Sequence, residues 1–408
     1  MRVLMLGWEL PPYNAGGMGV ECIRLCKALS KKGADIEFVI PYTADHSEID
    51  YMKIHPAHPQ DVIEVLKAGT TYDSAQYMNV TSTGEIRALD LHGQVRLYEE
   101  AVGRMIPTLE YFDVIHAHDW LTCRAAIRAK LISGRPLIVH MHSIESDRSG
   151  QPHGGNPLVR EIEELGMLMA DRIIAVSEVT KRGIVREYNI PPEKIEVVHN
   201  NLSAAEFTPF SEDNEYRYLA RMKQQGYRVV VNVGRLTIQK GLAHLLEAFR
   251  IAVQYRPKSL LLLVGAGEQY YELVTMATEL GIGDKVIFTD FQRGKRWRDS
   301  FSIGDLFVMP SPTEPFGLTA LEAINFNTPI LITKETGAAE VITNGLRVDY
   351  WDHDEMANKI VGVLNSDELR NELSANAFRE LDRMVRGDKT ADEVFSVYER
   401  HALVGAAA

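Results

Sequence analysis

The stretch MPSPTEPFGLTALEA, residues 309–323, decides the fold that we expect for this chain. It begins where an apolar run ends, passes through a loop rich in proline, and enters a segment that favours a helix from about Phe316 or Gly317. Pro315 then stands where the first turn of a helix tolerates proline. An apolar strand that leads through a loop into a helix is the repeating unit of parallel α/β sheets. The stretch therefore predicts one βα unit of such a sheet.

The same alternation of short apolar runs with segments of helical length recurs along the chain. The runs are RVLMLGWEL, DIEFVIPY, DVIHAH, PLIVHMHS, RIIAVS and KIEVVHN in the first half, and RVVVNVG, LLLLVGAG, KVIFTDF, LFVMPS and PILIT in the second. Near-continuous apolar strands between helices indicate parallel sheets with both faces covered. Because the runs exceed what one doubly wound sheet holds, we predict an α/β protein with two domains. The polar stretch at 200–218 marks the boundary, which we place after residue 205.

Composition narrows the classes of function. The chain has 408 residues and a formal net charge of −12, which argues against a nucleic-acid binder and against a protein held on anionic membranes by its net field. Peripheral membrane contact through a local patch stays open, as does the oligomeric state. The cysteines Cys22, Cys26 and Cys123 cannot all pair, and we interpret Cys22 and Cys26, one helical turn apart, as small buried apolar residues. No signal-peptide pattern or membrane-spanning apolar run is present, so we expect a cytoplasmic protein.

Two glycine-rich loops approach a dinucleotide-binding fingerprint and fail it. The loop YNAGGMGVE, residues 13–21, follows its apolar run at a distance, and Cys22 stands where the third glycine belongs. In VGAGEQYYEL, residues 264–273, Tyr270 occupies the third glycine position and would keep a helix from packing closely on the strand. We therefore do not expect a nicotinamide cofactor.

The loop and helix start within residues 309–323 have the features of an anion site. The backbone N–H groups of Gly317, Leu318 and Thr319 would point out of the helix N-terminus. Glu314 precedes that terminus and Glu322 lies a turn and a half inside the helix. An anion-binding helix end between two carboxylates suits a ligand that carries both phosphate and hydroxyl groups, such as a nucleotide sugar. The alternative, a capping Glu314 and a solvated Glu322, stays open on spacing alone.

Two cations stand at a comparable place in VGRLTIQKG, residues 233–241. Arg235 ends a strand, and Lys240 lies five residues later at the next helix start. Two cations at the carboxyl end of a parallel sheet can neutralise a diphosphate and support it as a leaving group. Taken alone they could equally be solvated surface charges. Open α/β sheets bind ligands at the carboxyl ends of their strands, which favours the functional interpretation for both elements.

These motifs together match a known family. The spacing E-x7-E from Glu314 to Glu322, GRLTIQKG, VGAGE, DVIHAHDW and the early glycine loop resemble retaining nucleotide-sugar glycosyltransferases of the GT-B fold, specifically glycosyltransferase family 4 with glycogen- and starch-synthase-like features. The resemblance implies two Rossmann-like domains that face each other across a cleft. Residues 1–205 would form the N-terminal acceptor domain, with a C-terminal helix at about 390–408 packed back on it. Residues 206–389 would form the nucleotide-sugar donor domain.

The resemblance also implies a role for each matched position. It assigns the donor diphosphate to Arg235, Lys240 and the backbone amides of Gly317, Leu318 and Thr319. Glu322 would bind the ribose, and Glu314 and His142 would bind the transferred sugar. Gly16 and Gly17 would form the loop that closes over the phosphate, and Gly265 and Phe291 would make further contacts with the nucleotide. The catalytic set is His142, Glu314, Arg235 and Lys240. The family reacts by front-face displacement, in which the leaving phosphate helps to deprotonate the acceptor, so we assign no general base. We expect no metal or cofactor, and UDP-glucose as the preferred donor over ADP- or GDP-sugars.

The chain departs from the family pattern at two places. Asn201 and Leu202 stand where the family commonly has glycine and valine. Asp290 replaces a glycine before Phe291, where the nucleotide base should lie, and this leaves the identity of the base open. The acceptor also stays open and includes a growing glucan, a lipid-linked sugar or a small polyol.

Other interpretations of single motifs are weaker. The histidines His116, His118, His140 and His142 lie at alternate positions of two strands and could converge, but no familiar zinc pattern completes them. In WDHDE, residues 351–355, Asp352 and Glu355 fit a capping box better than a metal site. The basic run QRGKRWR, residues 292–298, fits a solvated helix start.

Two rival functions remain at this point. A nucleotide-sugar epimerase or a phosphorylase would use the same fold, and a phosphorylase would need a lysine to hold pyridoxal phosphate, which no motif suggests. A catalytically inactive binding module would not need the full set of charged residues described above.

Overall fold

The computed structural model describes residues 1–13, 17–57, 78–80, 86–88, 91–200, 202, 213–387 and 389–402. The chain divides into two compact units. Of the described residues, those up to Asn200 and those at 389–402 form unit 1, and those from Leu202 to Gly387 form unit 2.

Unit 1 is built on a parallel sheet of seven strands. In chain order the strands are β1 (Arg2–Leu6), β2 (Asp35–Ile40), β3 (Lys53–Pro56), β6 (Val114–His118), β7 (Leu137–Met141), β8 (Arg172–Ala175) and β9 (Ile195–Val197), while β4 (Met78–Val80) and β5 (Ile86–Ala88) form a separate antiparallel pair. The helices are α1 (Gly17–Lys31), α2 (Leu91–Met105), α3 (Trp120–Ser133), α4 (Glu145–Ser149), α5 (Pro157–Met169) and α6 (Glu178–Tyr188), and α15 (Thr390–Ala402) comes from the far end of the chain. The order across the sheet is β3-β2-β1-β6-β7-β8-β9.

Unit 2 contains a parallel sheet of six strands in the order β12-β11-β10-β13-β14-β15. The strands are β10 (Arg228–Val233), β11 (Ser259–Val264), β12 (Val286–Thr289), β13 (Leu306–Met309), β14 (Ile330–Thr333) and β15 (Leu346–Val348). The helices are α7 (Arg217–Gln224), α8 (Leu242–Tyr255), α9 (Tyr270–Glu279), α10 (Gly294–Ser302), α11 (Leu318–Asn325), α12 (Ala338–Val341), α13 (His353–Asn365) and α14 (Asp367–Arg386).

The prediction of two parallel α/β sheets is confirmed. Each apolar run quoted above contains a strand of one of the two sheets, and the central strands are buried along their length because helices cover both faces. Two of the four edge strands of these sheets, β3 and β15, were not predicted. Their residues are half-exposed or exposed for the most part and mix polar with apolar side chains, so they lack the apolar signal of the central strands.

The helix within residues 309–323 begins at Leu318, slightly later than predicted. Gly317 precedes it with a φ of 93°, a left-handed conformation that favours glycine. Pro315 therefore lies before the helix rather than in its first turn, and the interpretation of it as a first-turn proline is wrong. The peptide around Gly317 turns the chain into the helix instead.

Both sheets reverse their winding direction beside their first strand. In unit 1, β1 lies between β2 and β6, and in unit 2, β10 lies between β11 and β13. Loops that follow the two strands on either side of such a switch point diverge to opposite faces and leave a crevice at the carboxyl edge, where open α/β sheets bind ligands. The loops after β10 and β13 therefore define the first place to look for a site in unit 2, and those after β1 and β6 do so in unit 1.

The last helix, α15, completes the core of unit 1. Its Tyr398 is fully buried, and the phenol oxygen lies 2.5 Å from Nδ1 of His116 on β6. At the start of the helix, the Thr390 hydroxyl donates to the His199 carbonyl at 3.0 Å, and Asp392 pairs with Lys32, which directly follows α1. Among the described residues, none of the helices is long and apolar enough to cross a membrane.

Candidate functional site

Lys240 and Glu314, 74 residues apart in sequence, meet at the switch point of unit 2. The Lys240 ammonium lies 2.7 Å from Oε2 of Glu314, and the Ser311 hydroxyl donates to the same oxygen at 2.9 Å. Lys240 ends a short 3-10 turn after β10, whereas Ser311 and Glu314 follow β13. The Glu314 side chain is only 8% exposed and that of Lys240 20% exposed. The sequence prediction that Lys240 and Glu314 line one edge of the sheet agrees with this geometry.

Backbone hydrogen bonds hold the Glu314 loop in place. The Glu314 N–H donates to the Glu335 carbonyl at 2.8 Å, and the Gly337 N–H donates to the Glu314 carbonyl at 3.0 Å. The Thr333 hydroxyl at the end of β14 donates to the Ser311 carbonyl at 2.7 Å. Because the loop is fixed from both sides, the carboxylate points at Lys240 without depending on a ligand.

Arg235 lies on the same loop as Lys240. It follows β10 and is partly buried, and its guanidinium donates to Oε1 of Gln239 at 3.2 Å. Both predicted cations therefore belong to the loop at the carboxyl end of β10, which concentrates positive charge beside the switch point.

The start of α11 lies beside this charge, since it follows the Glu314 loop directly. The first N–H groups of a helix have no partner within it, and here they belong to Leu318 and Thr319, with Gly317 as the preceding cap residue. A Cβ atom at position 317 would lie 3.0 Å from the Met309 methyl group, and the backbone of any residue other than glycine would be strained at this φ. Glu322 lies in the second turn of the helix and is partly buried. These four residues thus occupy one short segment after β13.

Gly265 allows two loops to approach each other closely. Its φ is 146°, and a Cβ atom there would lie 1.8 Å from the Gly234 carbonyl oxygen at the end of β10. Its N–H donates to the Thr289 carbonyl at 3.1 Å. The glycine therefore allows the loops after β10, β11 and β12 to lie against one another, which explains the VGAG motif without a dinucleotide.

We expect Gly265→Ala to lower the free energy of unfolding by about 3 kcal/mol or more, since the methyl group must displace backbone atoms and the residue must keep a strained φ. Gly362→Ala is the matched control. Gly362 lies in α13 with nothing within 4 Å of an added Cβ, so this change should raise stability by about 0.5–1 kcal/mol. Urea unfolding of both variants measures the effects, and equal stabilities would contradict the close-approach argument.

Phe291 follows β12, two strands from β10 in the sheet order. Its ring is 41% exposed, and the Arg293 guanidinium lies 5.2 Å from the ring centroid. Adjacent strands are about 4.8 Å apart, so the ring stands on the order of 10 Å along the sheet edge from the loop of Arg235. An exposed aromatic face at this distance is a place where a flat base can stack.

In unit 1, His142 stands at the carboxyl end of β7 and is held by Asp119, which the sequence analysis did not single out. Oδ1 of Asp119 accepts the backbone N–H groups of His142 at 2.7 Å and Ser143 at 3.3 Å. Asp119 is buried and has a φ of 56°, a conformation uncommon outside glycine. The position of Asp119 in the sequence, directly after HAH and before Trp120 at the start of α3, is the feature that could have pointed to it.

Burial raises the pKa of Asp119 to about 6, although the charge of Arg148 and the two backbone N–H groups act to lower that pKa. The folded protein therefore holds a proton on Asp119 that the unfolded chain releases near pH 4, and wild-type stability falls as the pH rises from about 4 to 6.

Asp119→Asn removes this titration and can keep the two backbone hydrogen bonds through its amide oxygen. We expect the stability of the variant relative to wild type to rise by about 3 kcal/mol between pH 4 and pH 7. Urea unfolding at the two pH values measures this difference. A stability difference that does not change with pH would contradict the proposed burial of an ionisable Asp119.

The glycine loop of unit 1 is described in part. Gly16 lies outside the described residues, whereas Gly17 is the exposed first residue of α1. The Gly19 N–H donates to Oε1 of Glu9 at 3.4 Å, and Glu9 is buried in the loop after β1. Sequence reasoning did not assign a role to Glu9. Its carboxylate lies at the N-terminus of α1, where the helix dipole favours negative charge.

The four histidines at the ends of β6 and β7 do converge, as their spacing allows. Nδ1 of His118 lies 2.9 Å from Nε2 of His142, and Nε2 of His116 lies 3.3 Å from Nδ1 of His140. The rings of His140 and His142 stack at 4.4 Å, and those of His116 and His118 at 4.5 Å. Each facing pair of imidazole nitrogens lies at hydrogen-bonding distance, with one ring as donor and the other as acceptor.

Burial lowers the pKa of all four imidazoles, and that of His142 to about 4. His142 is therefore neutral at pH 7 and able to donate or accept one hydrogen bond. Ligand atoms of Cys22, His118 and His142 lie within 4.8 Å of one another, as do those of His116, His118 and His140. Our expectation that the protein needs no metal stays a prediction.

Two other motifs have structural roles. Asp352 caps α13 by accepting the Glu355 N–H at 3.0 Å, while the Glu355 carboxylate pairs with Lys359 at 2.8 Å instead of returning to the cap. The basic run at 292–298 enters α10, where Lys295 pairs with Asp299 at 2.7 Å.

The fold and the charged edge of unit 2 define a class of protein, namely a two-unit α/β protein with cationic side chains at a switch point of a parallel sheet. Comparison with known families identifies that class. Residues 15–202 match the model for Glycosyltransferase Family 4, and residues 220–380 match that for Glycosyl transferases group 1. The protein is therefore a glycosyltransferase with the GT-B fold.

Individual relatives agree with this class. An uncharacterized glycosyltransferase of Methanocaldococcus jannaschii is 27% identical, with 98% of each chain covered. D-inositol 3-phosphate glycosyltransferase of Thermobispora bispora is 28% identical over 91% of this chain and 86% of its own. Among solved structures, Anabaena HepE in complex with UDP and glucose has a TM-score of 0.71 at 20% identity and covers 98% of this chain and 100% of that one. At that identity the structural similarity shows the fold alone.

Proposed function

We propose that this protein is a retaining hexosyltransferase that moves glucose from a nucleoside diphosphate sugar, with UDP-glucose preferred, to a hydroxyl group of a saccharide or small-molecule acceptor. The observation that supports the proposal most directly is the partly buried contact between Lys240, Glu314 and Ser311 at the switch point of unit 2. In this proposal unit 2 binds the donor and unit 1 binds the acceptor.

The diphosphate is assigned to the cations after β10 and the N-terminus of α11. Lys240 and Arg235 supply charge-assisted hydrogen bonds to phosphate oxygens, and the N–H groups of Leu318 and Thr319 add neutral donors. These groups stabilise negative charge, and that charge grows on the leaving diphosphate as the glycosidic bond breaks. Glu322, partly buried in the next turn, is assigned to the ribose hydroxyls.

The transferred sugar is assigned to Glu314. Within the described chain, its contacts with Lys240 and Ser311 are both made by Oε2. Oε1 is therefore the oxygen that we assign to a sugar hydroxyl. Lys240 would then link the two ligand groups, since it contacts the carboxylate and carries the charge that a phosphate requires.

In unit 1, His142 is assigned to a sugar hydroxyl and Gly17 to phosphate, as the family resemblance implies. A neutral imidazole suits a hydroxyl group because it donates one hydrogen bond or accepts one without a charge to desolvate. We assign no general base, and the leaving phosphate is the group expected to receive the acceptor proton.

A donor panel tests the proposal. The protein is incubated with UDP-, ADP- and GDP-sugars, each with glycogen, a monosaccharide or an inositol phosphate, and nucleoside diphosphate release is measured. We expect release from UDP-glucose that depends on one acceptor class, and NMR of the product should show the anomeric configuration of the donor. Release from no donor would overturn the transferase assignment, and an inverted anomer would overturn retention.

The same assay separates the rival enzymes on this fold. An epimerase converts one nucleotide sugar to another without releasing the diphosphate, and a phosphorylase uses inorganic phosphate and no nucleotide. A glucan-elongating enzyme would release the diphosphate with glycogen alone among the acceptors.

A further inference from the structure

A hydrogen-bonded network of unit 1 places Arg148 beside His142. Nη1 of Arg148 donates to the hydroxyl of Ser143 at 2.7 Å, and Ser143 directly follows His142 after the end of β7. The backbone N–H groups of His142 and Ser143 share Oδ1 of Asp119. The positive charge of Arg148 acts to lower the pKa of that carboxyl group. The guanidinium therefore adjoins the residue that we assign to a sugar hydroxyl.

Two carboxylates compensate the charge of Arg148. Its Nε donates to Oε2 of Glu145 at 2.9 Å, and its Nη2 pairs with Oε1 of Glu163. The Glu163 side chain is fully buried, and those of Arg148 and Glu145 are 9% and 11% exposed. A guanidinium that is shielded from water needs opposite charge and hydrogen-bond acceptors, and the fold supplies both. Arg148 therefore needs no anionic ligand.

The two carboxylates are themselves fixed by three helices. Oε2 of Glu163, on α5, accepts the Glu145 N–H at 3.0 Å and pairs with the Tyr188 hydroxyl of α6. Oε1 of Glu145, on α4, accepts the Asn156 N–H at 2.8 Å. Because these hydrogen bonds anchor both partners of Arg148, an incoming anion would have to approach the guanidinium with the carboxylates still in place.

The network has no net positive charge. Burial raises the pKa of Glu163, although Arg148, Tyr188 and the Glu145 N–H act to lower that pKa. With Glu163 ionised, Arg148 and the two carboxylates leave a negative charge, and with Glu163 protonated the charges of Arg148 and Glu145 cancel. In neither state does the network attract a phosphate group.

Other cations are scarce around the network. Residues 142–159 contain no lysine or arginine besides Arg148. The next cation along the chain is Arg160 on α5, and its charge is also compensated. Its Nη1 lies 3.4 Å from Oε2 of Glu187, and its guanidinium lies 5.1 Å from the centroid of the Tyr188 ring. The segment after β7 thus supplies no uncompensated positive charge.

The neighbouring loops at the carboxyl edge of this sheet are acidic as well. The described loops after β1, β2 and β6, at residues 7–13, 41–52 and 119, contain no lysine or arginine. Apart from Asp119, the carboxylates of these loops and of α4 are Glu9, Asp45, Glu48, Asp50, Glu145 and Asp147. A phosphate group bound at this edge would meet charge of its own sign.

We propose that the acceptor of this glycosyltransferase is an uncharged hydroxyl compound, and that Glu145 and Glu163 exclude phosphorylated acceptors by engaging Arg148. The inference rests on the proposed function, in which unit 1 binds the acceptor. Carboxylates, the Ser143 hydroxyl and a neutral imidazole at His142 form hydrogen bonds with hydroxyl groups, and none of these groups requires an anion. The two glutamates act on specificity through the charge of Arg148, without contact with the acceptor.

Pairs of acceptors that differ by one phosphate group test the proposal in the wild-type protein. Myo-inositol is compared with inositol 1-phosphate, and glucose with glucose 6-phosphate, with the donor that the panel identifies and with glycogen as a further uncharged acceptor. In each pair that reacts, we expect kcat/KM for diphosphate release to be at least about 30-fold higher for the unphosphorylated member, because like charges repel. Release with glycogen alone also agrees with the proposal.

Glu145→Gln tests the charge itself. The amide oxygen can still accept the hydrogen bond from Nε of Arg148, whereas one negative charge beside the guanidinium is lost. We expect the ratio of kcat/KM for the phosphorylated acceptor to that for the unphosphorylated acceptor to rise about tenfold. A partly unfolded variant would lose activity with both acceptors alike and leave this ratio unchanged. Glu99→Gln is the matched control, since Glu99 of α2 pairs with Arg124 of α3 at 2.8 Å, and it should keep the wild-type ratio.

The outcomes separate the acceptor proposal from the proposed function. A phosphorylated acceptor that reacts as well as its unphosphorylated partner, or better, would overturn the acceptor proposal and leave the transferase function intact. An unchanged ratio in Glu145→Gln would overturn the assignment of selection to the Arg148 network. Absence of diphosphate release with every acceptor would overturn the transferase function itself, on which the acceptor proposal depends.

Discussion

Lys240→Ala is expected to weaken binding of the nucleoside diphosphate about 30-fold or more and to lower the rate of its release from the donor about 1000-fold. The ammonium is the charge that lies nearest to Glu314 at the switch point, with 2.7 Å between Nζ and Oε2. A hydrogen bond to a charged group that is shielded from water contributes about 1.5–3 kcal/mol to binding, and its effect on a leaving diphosphate grows in the transition state. Calorimetry with the diphosphate measures the first effect, and the donor assay measures the second.

The control for Lys240 is a second ion pair of the same length at the same edge of the sheet. Lys334 lies 2.7 Å from Asp349, but their side chains are 58% and 29% exposed, against 20% and 8% for Lys240 and Glu314. Exposed pairs contribute little, so Lys334→Ala should change neither binding nor turnover by more than about twofold. Full turnover in Lys240→Ala would refute the diphosphate assignment, provided that circular dichroism shows a folded variant.

Glu314→Gln is expected to weaken binding of the complete donor, which carries the sugar, much more than binding of the nucleoside diphosphate alone. Because we assign the carboxylate to a sugar hydroxyl, the variant should bind the nucleoside diphosphate within about threefold of wild type. Its affinity for the complete donor should fall about 30-fold and its turnover about 1000-fold, since the charge that holds the sugar is gone. The glutamine amide can still accept the Ser311 hydroxyl bond, which limits the change to the charge itself.

Calorimetry with the diphosphate and with the donor, side by side, measures that separation. Asp349→Asn, in the more exposed ion pair with Lys334, serves as the control and should match wild type with both ligands. An equal loss of affinity for both ligands would show that Glu314 acts only through the position of Lys240, and unchanged donor binding would show that it does not contact the sugar.

The sequence indicates the fold wherever strands are buried on both faces. The strands β1 and β13 are almost entirely apolar, and β6 and β10 are interrupted within their length only by His116 and Asn232, because helices cover both sides of these strands. β3 and β15 have one open edge and tolerate Lys53, His55 and Arg347, so nothing in their composition separates them from loops. The strand order, which creates the switch points, depends on contacts between distant segments.

The candidate site is predictable in part for the same reason. Lys240 and Glu314 follow apolar strands, and the carboxyl ends of parallel strands share one edge, so their proximity can be inferred from sequence. Asp119 and Glu9 could not be found this way. Asp119 acts through backbone N–H groups 23 and 24 residues away, and Glu9 through the amide of Gly19, and such hydrogen bonds leave no pattern in side-chain type.

The return of α15 to unit 1 has a consequence for how the chain is made. A ribosome releases the strands of unit 1 first, but Tyr398, which fills the core beside His116, emerges only after all of unit 2 has been synthesised. Unit 2 is contiguous over its described part and can finish folding during translation. The core of unit 1 stays incomplete beside His116 until α15 has been synthesised. The order of completion along the nascent chain is thus the reverse of the order of synthesis.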